Sequence, residues 1–529
     1  MMNALALLLA VLSQDVEKTR AELRKAVIAG DAAAVEAAVD KVAAADSKRA
    51  VDILLEAYGD CAKELKPLWE EKYKALQELQ AAAKFERGSD LKSQEIEKKI
   101  RSFEALKRRI VGGLAAAKSD AAIRELAAEL KPPTVSGGDW TRRAGVAEAL
   151  GRIAHAEALP ALVESAGRDP EPMVRIAALD ALREKKQKTG EVVDVLVSLL
   201  NHEAWGVKST AVATLEALGA KEAVGSLIEA LAKVDGRLRY EINKTLIAFT
   251  AVDKHGDPPA WKAWWDANQG EVRAGTYVPK KEERADAQPG GATTFYGIPI
   301  HSRHVVFVLD RSGSMKQPSE WEMPKDVATG PAMPGADLKP AGNRKIDIAR
   351  WQLKRALAML PDGIEFNLIF YNHQWAGMSE QMVKLSAATR KQAFEFIDAL
   401  EPDGRTNIYD PLERGLQFAP AGGMPEKLPK SAAGPRPTVA TGDKAPKGFA
   451  DTVYLLSDGL PNTGQIPDPA GIIAKVKEIN KGRKVTIHSI GVFGAGDREG
   501  AAGAELLKQL AADSGGLYKS GGAAEKKMP

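Results

Sequence analysis

Between residues 143 and 250 one phrase keeps returning. Arg143-Ala-Gly-Val-Ala-Glu-Ala-Leu150, Arg175-Ile-Ala-Ala-Leu-Asp-Ala-Leu182 and Lys208-Ser-Thr-Ala-Val-Ala-Thr-Leu-Glu-Ala-Leu218 end on leucines 32 and 36 residues apart. Arg239-Tyr-Glu-Ile-Asn-Lys-Thr-Leu-Ile-Ala-Phe249 is a looser fourth copy. Each of the first three is followed by a second apolar stretch, at Ala158 to Val163, Val192 to Val197 and Ala223 to Ile228. Paired helices at such a period bury their apolar faces only by stacking on neighbours, which predicts an α-solenoid. A solenoid makes extended surfaces, so this part of the chain reads as scaffold rather than as a place for chemistry.

The copies over 137–250 resemble HEAT repeats. Trp261, Trp264 and Trp265 fall on one helical face just beyond and are expected to close the stack, extending it to 137–270. From residue 15 to 133 apolar positions also recur three or four apart, the helical period. Residues 17–66 read as a short antiparallel helix pair. The stretch 68–118 reads as a helical hairpin or coiled coil turning at Gly88-Ser89-Asp90, its dense charges facing solvent. Residues 271–299, with Lys280-Lys-Glu-Glu-Arg284 and Gln288-Pro-Gly-Gly-Ala292, lose all periodicity and read as a linker that lets the two halves move independently.

The 529 residues suit about three folded units. With 74 Lys and Arg against 71 Asp and Glu the net charge is only +3, too weak a field to make nucleic acid the partner. A single cysteine, Cys61, excludes an intrachain disulfide or a multi-cysteine metal site; it reads as a small core residue. The apolar run Ala4 to Leu12 is too short to span a bilayer, which takes about 20 residues in a helix. With Val11 and Ser13 it fits a signal peptide over 1–14, which predicts export to the periplasm, surface or medium; a cytoplasmic location is the alternative. No other apolar run approaches a transmembrane segment.

From about residue 300 short β-rich runs alternate with amphipathic helices. Strands are expected at Val305–Leu309, Ile364–Tyr371, Thr452–Leu456 and Val485–Val492, and helices at about 345–360, 387–400, 410–418, 469–480 and 502–513. That alternation predicts a parallel sheet with helices on both faces, and continuous apolar runs such as Val305-Val-Phe-Val-Leu309 fit strands buried on both sides. Ligands of such sheets bind beyond the carboxyl ends of the strands.

The first of these strands ends in Asp310-Arg311-Ser312-Gly313-Ser314-Met315. One carboxylate and two hydroxyls at alternating positions on a glycine-loosened turn suit a hard cation that takes oxygen ligands. Gly404-Arg-Thr406-Asn-Ile408 and Leu456-Ser-Asp458-Gly-Leu-Pro461 bring more oxygen to equivalent strand ends. On these residues 300–522 resemble the von Willebrand factor type A (VWA) domain and its metal-ion-dependent adhesion site (MIDAS). Two Pro-, Gly- and Ala-rich insertions, at about 316–343 and 420–449, are atypical of that family; Trp321 and Met323 are the contacts expected of the first.

The resemblance implies a doubly wound, Rossmann-like α/β fold. It implies Mg²⁺, with Ca²⁺ or Mn²⁺ as alternatives, held by Asp310, Ser312, Ser314, Thr406 and Asp458, and a protein partner whose Asp or Glu carboxylate completes the coordination sphere. Rival chemistry falls short. A phosphatase of the dehalogenase type needs a second carboxylate where Ser312 stands; Gly459 to Gly464 has P-loop spacing but Gln465 in place of lysine. Gly494 to Gly500 misses the dinucleotide spacing, and His301 and His304 are poorly placed for joint ligation. The chain therefore reads as multidomain, an all-α region with HEAT-like repeats plus a VWA domain: a metal-dependent binding or adhesion protein and not an enzyme. Its alternatives are an intracellular assembly scaffold that recognises through the repeats and, less favoured, a metal-dependent hydrolase.

Overall fold

The computed structural model describes residues 17–81, 91–133, 140–279, 293–321, 339–418, 449–493 and 498–521. The signal-like segment 1–14, the hairpin turn at 88–90, the side chains of Tyr73 and Leu76, Met323 and nearly all of the second insertion lie outside the described residues.

The front half is helical throughout. A helix over 17–29 (α1) leads into α2 (Ala32–Ala44), α3 (Lys48–Ala81), α4 (Leu91–Leu114) and α5 (Asp120–Glu129). Asp31 and Ser119 cap α2 and α5, each side chain accepting a bond from the third backbone N–H beyond it. The expected helix pair over 17–66 proves to be three helices, because Gly30 (φ +67) and the Asp31 cap split the first in two, and the last, α3, runs on through Pro67 into the hairpin. A proline inside a helix costs about 3 kcal/mol, but Pro67 sits on the exposed side while Tyr58, Cys61 and Leu65 continue one buried face beneath it. Cys61 is fully buried, and burial pushes its thiol up to about 12, so it is the inert core residue expected.

The repeat follows as α6 (Trp140–Arg152), α7 (Ala158–Arg168), α8 (Pro172–Lys185), α9 (Gly190–Leu199), α10 (Trp205–Ala217), α11 (Val224–Leu231), α12 (Gly236–Thr250) and α13 (Pro258–Ala274). Leu150, Leu182, Leu215 and Leu246 are fully buried at matching places, spaced 32, 33 and 31 residues apart. Leu215, not Leu218, is thus the third member, and the packing period is more regular than the phrases indicate, because Leu218 lies one turn on, at the helix end. Trp261, Trp264 and Trp265 are buried, Trp261 donates to Asn243 Oδ1 at 2.7 Å, and Trp265 seats over Gly225, where a Cβ would lie 2.9 Å from the indole. The stripe closes the stack.

Residues 294–299 are not linker but a short β-hairpin, β1 (Thr294–Phe295) and β2 (Ile298–Pro299), which buries Phe295 and Tyr296. The sheet beyond it comprises β3 (His304–Asp310), β4 (Glu365–Tyr371), β5 (Trp375–Gly377), β6 (Val383–Lys384), β7 (Thr452–Ser457), β8 (Thr486–Gly491) and β9 (Tyr518–Ser520), in the order β5-β4-β3-β7-β8-β9 with β6 also on β4. Pairs β3–β4, β3–β7, β7–β8 and β8–β9 are parallel; β5 and β6 run antiparallel to β4.

On one face of β3 Val305, Phe307 and Leu309 pack with α14 (Lys345–Met359) and α15 (Ala387–Asp398). On the other Val306 and Val308 pack with α16 (Tyr409–Gln417), α17 (Pro469–Asn480) and α18 (Arg498–Asp513). Each fully buried side chain of this size stabilises by about 1.5–3 kcal/mol over its exposed state. The chain leaves β3 toward β4 on one side and returns as β7 on the other, which puts the crevice of a doubly wound sheet at the carboxyl end of β3.

The halves are joined by more than a linker. Lys72 of α3, fully buried, lies 2.8 Å from Glu97 of α4 and 2.9 Å from Glu413 of α16. Lys475 of α17 bonds Glu104 of α4 at 2.5 Å. Further along, Lys484 pairs with Asp180 at 2.7 Å, Arg237 donates to the carbonyls of Asp451 and Lys484, and Tyr240 stacks on His301 at 4.1 Å. Two expectations change. Most charges of the hairpin face solvent as expected, Glu70, Glu71, Lys74, Glu95, Lys98 and Lys99 among them, but Lys72, Glu97 and Glu104 are buried against the α/β domain, and these ion pairs tie together the halves expected to move freely.

Candidate metal centre

Strand β3 delivers Asp310 to the crevice with its side chain fully buried. The chain then turns through Ser312 and a short 3-10 segment, Gly313–Lys316. Asp310 Oδ1 accepts from the Ser312 backbone N–H at 2.7 Å, and Oδ2 accepts from Ser457 Oγ, at the end of β7, at 2.8 Å. Ser312 Oγ and Ser314 Oγ lie 3.1 Å apart, and Ser314 Oγ donates to Asp458 Oδ1 at 2.7 Å. Asp310, Ser312, Ser314 and Asp458 therefore form one continuous oxygen cluster, drawn from loops about 144 residues apart in sequence.

Thr406 reaches the same place. Its loop is stitched to the Asp310 turn by the Gly313 N–H bond to the Gly404 carbonyl at 3.0 Å and by the Asp403 N–H bond to the Arg311 carbonyl at 2.9 Å. Gly404 holds φ +72 and abuts the His373 ring so closely that no side chain fits. Thr406 is buried, and it exchanges bonds with Asn462: its N–H donates to Asn462 Oδ1 at 3.0 Å and its carbonyl accepts the Asn462 N–H at 2.9 Å. A Cβ on Gly459, next to Asp458, would lie 4.0 Å from Thr406 Oγ1.

The donor chemistry fits a hard divalent ion. Two carboxylates and three hydroxyls offer oxygen alone. Burial, and then the facing Asp458 carboxylate, push the Asp310 carboxyl up to about 7, since two anions converge where water is excluded. No group of three His, Cys, Asp or Glu capable of holding a metal exists among the described residues; the cluster relies on hydroxyls.

Two residues outside the five motif positions touch the cluster. Lys345, at the start of α14, is buried and donates to Asp458 Oδ2 at 2.8 Å. It is brought there by the neck of the first insertion, where the Lys345 N–H bonds the Gln317 carbonyl at 2.9 Å and Pro318 pairs with Arg344. Ser457 is the other; only its place before Asp458 hints at it. Trp321, expected as a contact of that insertion, is half-buried and packs against Trp351 at 5.6 Å beside the domain core. His301 and His304 part company, His301 stacking on Tyr240 and His304 on Phe449.

With this geometry in hand, similarity to known proteins divides along the chain. A family model described as HEAT repeats matches residues 96–183 and 166–247, reaching back into α4. Inter-alpha-trypsin inhibitor heavy chain H4 of Homo sapiens is 27% identical over 223 residues, 42% of this chain and 18% of the relative. Heavy chain H3 of Mesocricetus auratus is 24% identical over 187 residues, 35% of this chain and 16% of the relative. The match thus spans less than a fifth of these relatives. Among solved structures, a von Willebrand factor type A protein from Catenulispora acidiphila aligns at 17% identity and TM-score 0.26, covering 42% of this chain and 39% of its own. The PilB minor pilin from Streptococcus sanguinis aligns at 18% and 0.26, covering 46% and 62%. The chain is a helical region, part of which matches HEAT repeats, followed by a mixed, mainly parallel α/β domain. No helix among the described residues is long and apolar enough to cross a membrane.

Proposed function

We propose that this is a metal-dependent protein-binding protein. Mg²⁺, or Ca²⁺ or Mn²⁺ in its place, is held by Asp310, Ser312, Ser314 and Thr406 with Asp458 behind them, and an acidic side chain of a partner protein is the ligand. The observation that carries this reading is the convergence of Asp310, Ser312, Ser314 and Asp458 in one hydrogen-bonded oxygen cluster at the sheet's switch point. These residues would hold the cation, which would supply positive charge for a partner's carboxylate.

The chain's own residues set the charge. Asp310 and Asp458 contribute two negative charges and Lys345 returns one positive charge, so a divalent ion leaves a net surplus of one positive charge that favours an anionic group. Ser457 and the Ser312 N–H fix Asp310, Ser314 and Lys345 fix Asp458, and Asn462 fixes Thr406. Such support holds ligands in place ahead of binding. The helical repeats act as a scaffold fixed to this domain, and we assign the protein to an exported location on the strength of the segment 1–14.

The test is capture of partners by the immobilised full chain with Mg²⁺ and with chelator, beside Asp310→Ala. Partners retained only with Mg²⁺ and lost in the variant support the reading. Capture indifferent to chelator and to the substitution refutes it.

A further inference from the structure

The side of α4 that faces the α/β domain reaches the metal loops themselves. Gln94 Nε2 donates to the Gly464 carbonyl at 2.8 Å, across 370 residues of sequence. Gly464 has φ +96, and any Cβ there would collide with Asn407 Oδ1, so the loop beyond Asp458 lies directly on the residue after Thr406. Next door, the Gln465 N–H and Nε2 both donate to Asp410 Oδ1, at 3.2 and 3.1 Å, while Asn407 Nδ2 donates to Asp410 Oδ2 at 2.8 Å. The loop of Thr406 and the loop that follows Asp458 are thus one laced unit, and Gln94 holds it from outside.

A second grip acts on α16, the helix that follows Thr406. Tyr409 Oη donates to Glu413 Oε1 at 2.9 Å, and the same oxygen takes the Lys72 ammonium at 2.9 Å. Lys72 also lies 4.6 Å from the Trp69 ring and 5.5 Å from that of Tyr409. Burial alone opposes the charge on Lys72, yet Glu413 and Glu97 outweigh it and hold its pKa above the ordinary value. A buried pair of this kind is directional: removing one partner leaves an uncompensated charge, so Lys72 fixes α16 against α3 and α4.

We propose that the hairpin α3–α4 is the positioning element of the metal site, with Gln94 and Lys72 as positioning residues that preorganise Thr406 and the loop after Asp458. The proposal rests on the metal-site reading above. Linkage makes it reciprocal: if docking of the hairpin raises cation affinity, cation binding tightens the docking by the same factor. Cation occupancy is thereby communicated to the repeat scaffold, which continues directly from α4.

Two measurements on the full chain test it. In the wild type, amide hydrogen exchange across α4 and α16 is compared with and without saturating Mg²⁺; exchange in α4 is expected to slow when the ion binds. Calorimetric Mg²⁺ titration of Gln94→Ala is expected to show affinity weakened about threefold to tenfold, the effect of one lost hydrogen bond. Lys481→Ala, which removes an exposed contact between the halves at Glu148, should leave affinity unchanged. Saturable Mg²⁺ binding with unaltered α4 exchange, or with full affinity in Gln94→Ala, overturns the positioning role while leaving the metal site intact. No saturable binding by the folded wild type overturns the metal reading and this inference together.

Discussion

Lys345 Nζ lies 2.8 Å from Asp458 Oδ2, both side chains buried, 113 residues apart in sequence. A fixed ammonium beside a candidate metal ligand opposes a second cation while holding the ligand in place. Lys345→Met is therefore expected to destabilise the cation-free protein by about 3–5 kcal/mol, as when one partner of a buried pair is removed. It is also expected to tighten Mg²⁺ binding on the order of tenfold. Thermal unfolding with and without Mg²⁺, beside calorimetric titration, reads both. Weaker Mg²⁺ binding in the variant would show that orientation of Asp458 outweighs charge.

The interface cluster counts two lysines, Lys72 and Lys475, against three glutamates, Glu97, Glu104 and Glu413. The excess of one acid is met by a proton: burial, opposed by Lys475 and assisted by Glu478 and Glu97, pushes Glu104 up to about 7 from 4.5. The folded state then holds a proton that the unfolded state releases, so stability from this group is present below pH 4.5 and is lost as pH rises toward 7. Glu104→Gln, permanently neutral, lacks that loss. Denaturant unfolding of both proteins from pH 5 to 8 should show the wild type declining relative to the variant up to about pH 7 and running parallel above it. A constant difference across the range would contradict the assignment.

Because Lys72, Lys475 and Lys484 each pair across the two halves, cutting the connection should not separate them. A protease site inserted at Gln288 and cleaved to completion is expected to yield two fragments that co-elute on gel filtration. Buried pairs are screened little by salt, so co-elution should persist in high salt. Separation of the fragments at low micromolar concentration would refute the docked arrangement.

Much of this fold is written in local pattern. The central strand Val305-Val-Phe-Val-Leu309 admits few alternatives to a strand buried on both faces, and β3, β4, β7 and β8 lie where the apolar runs place them. The repeat is legible because each copy carries its own buried leucine. Asp310, Ser312, Ser314 and Asp458 are legible as a motif and are brought together in space. What depends on distant contact is not legible. Lys72, Glu97 and Glu104 look like surface charges on an amphipathic hairpin, and only docking on α16 and α17 makes them interior. Lys345 sits in an ordinary helix start, and nothing local says its ammonium meets Asp458. The short edge strands β5, β6 and β9 have two or three residues each, too few for a period to show.

The oxygen cluster around Asp310 is proposed to bind a divalent cation. Its most direct test is calorimetric titration of Mg²⁺, Ca²⁺ and Mn²⁺ into the chelated full chain, beside Asp310→Ala. Saturable binding of one ion per chain is expected in the wild type, and its loss in a variant that keeps its helical circular dichroism. A folded wild type that binds none of the three, or an Asp310→Ala variant that binds as well as the wild type, would contradict it.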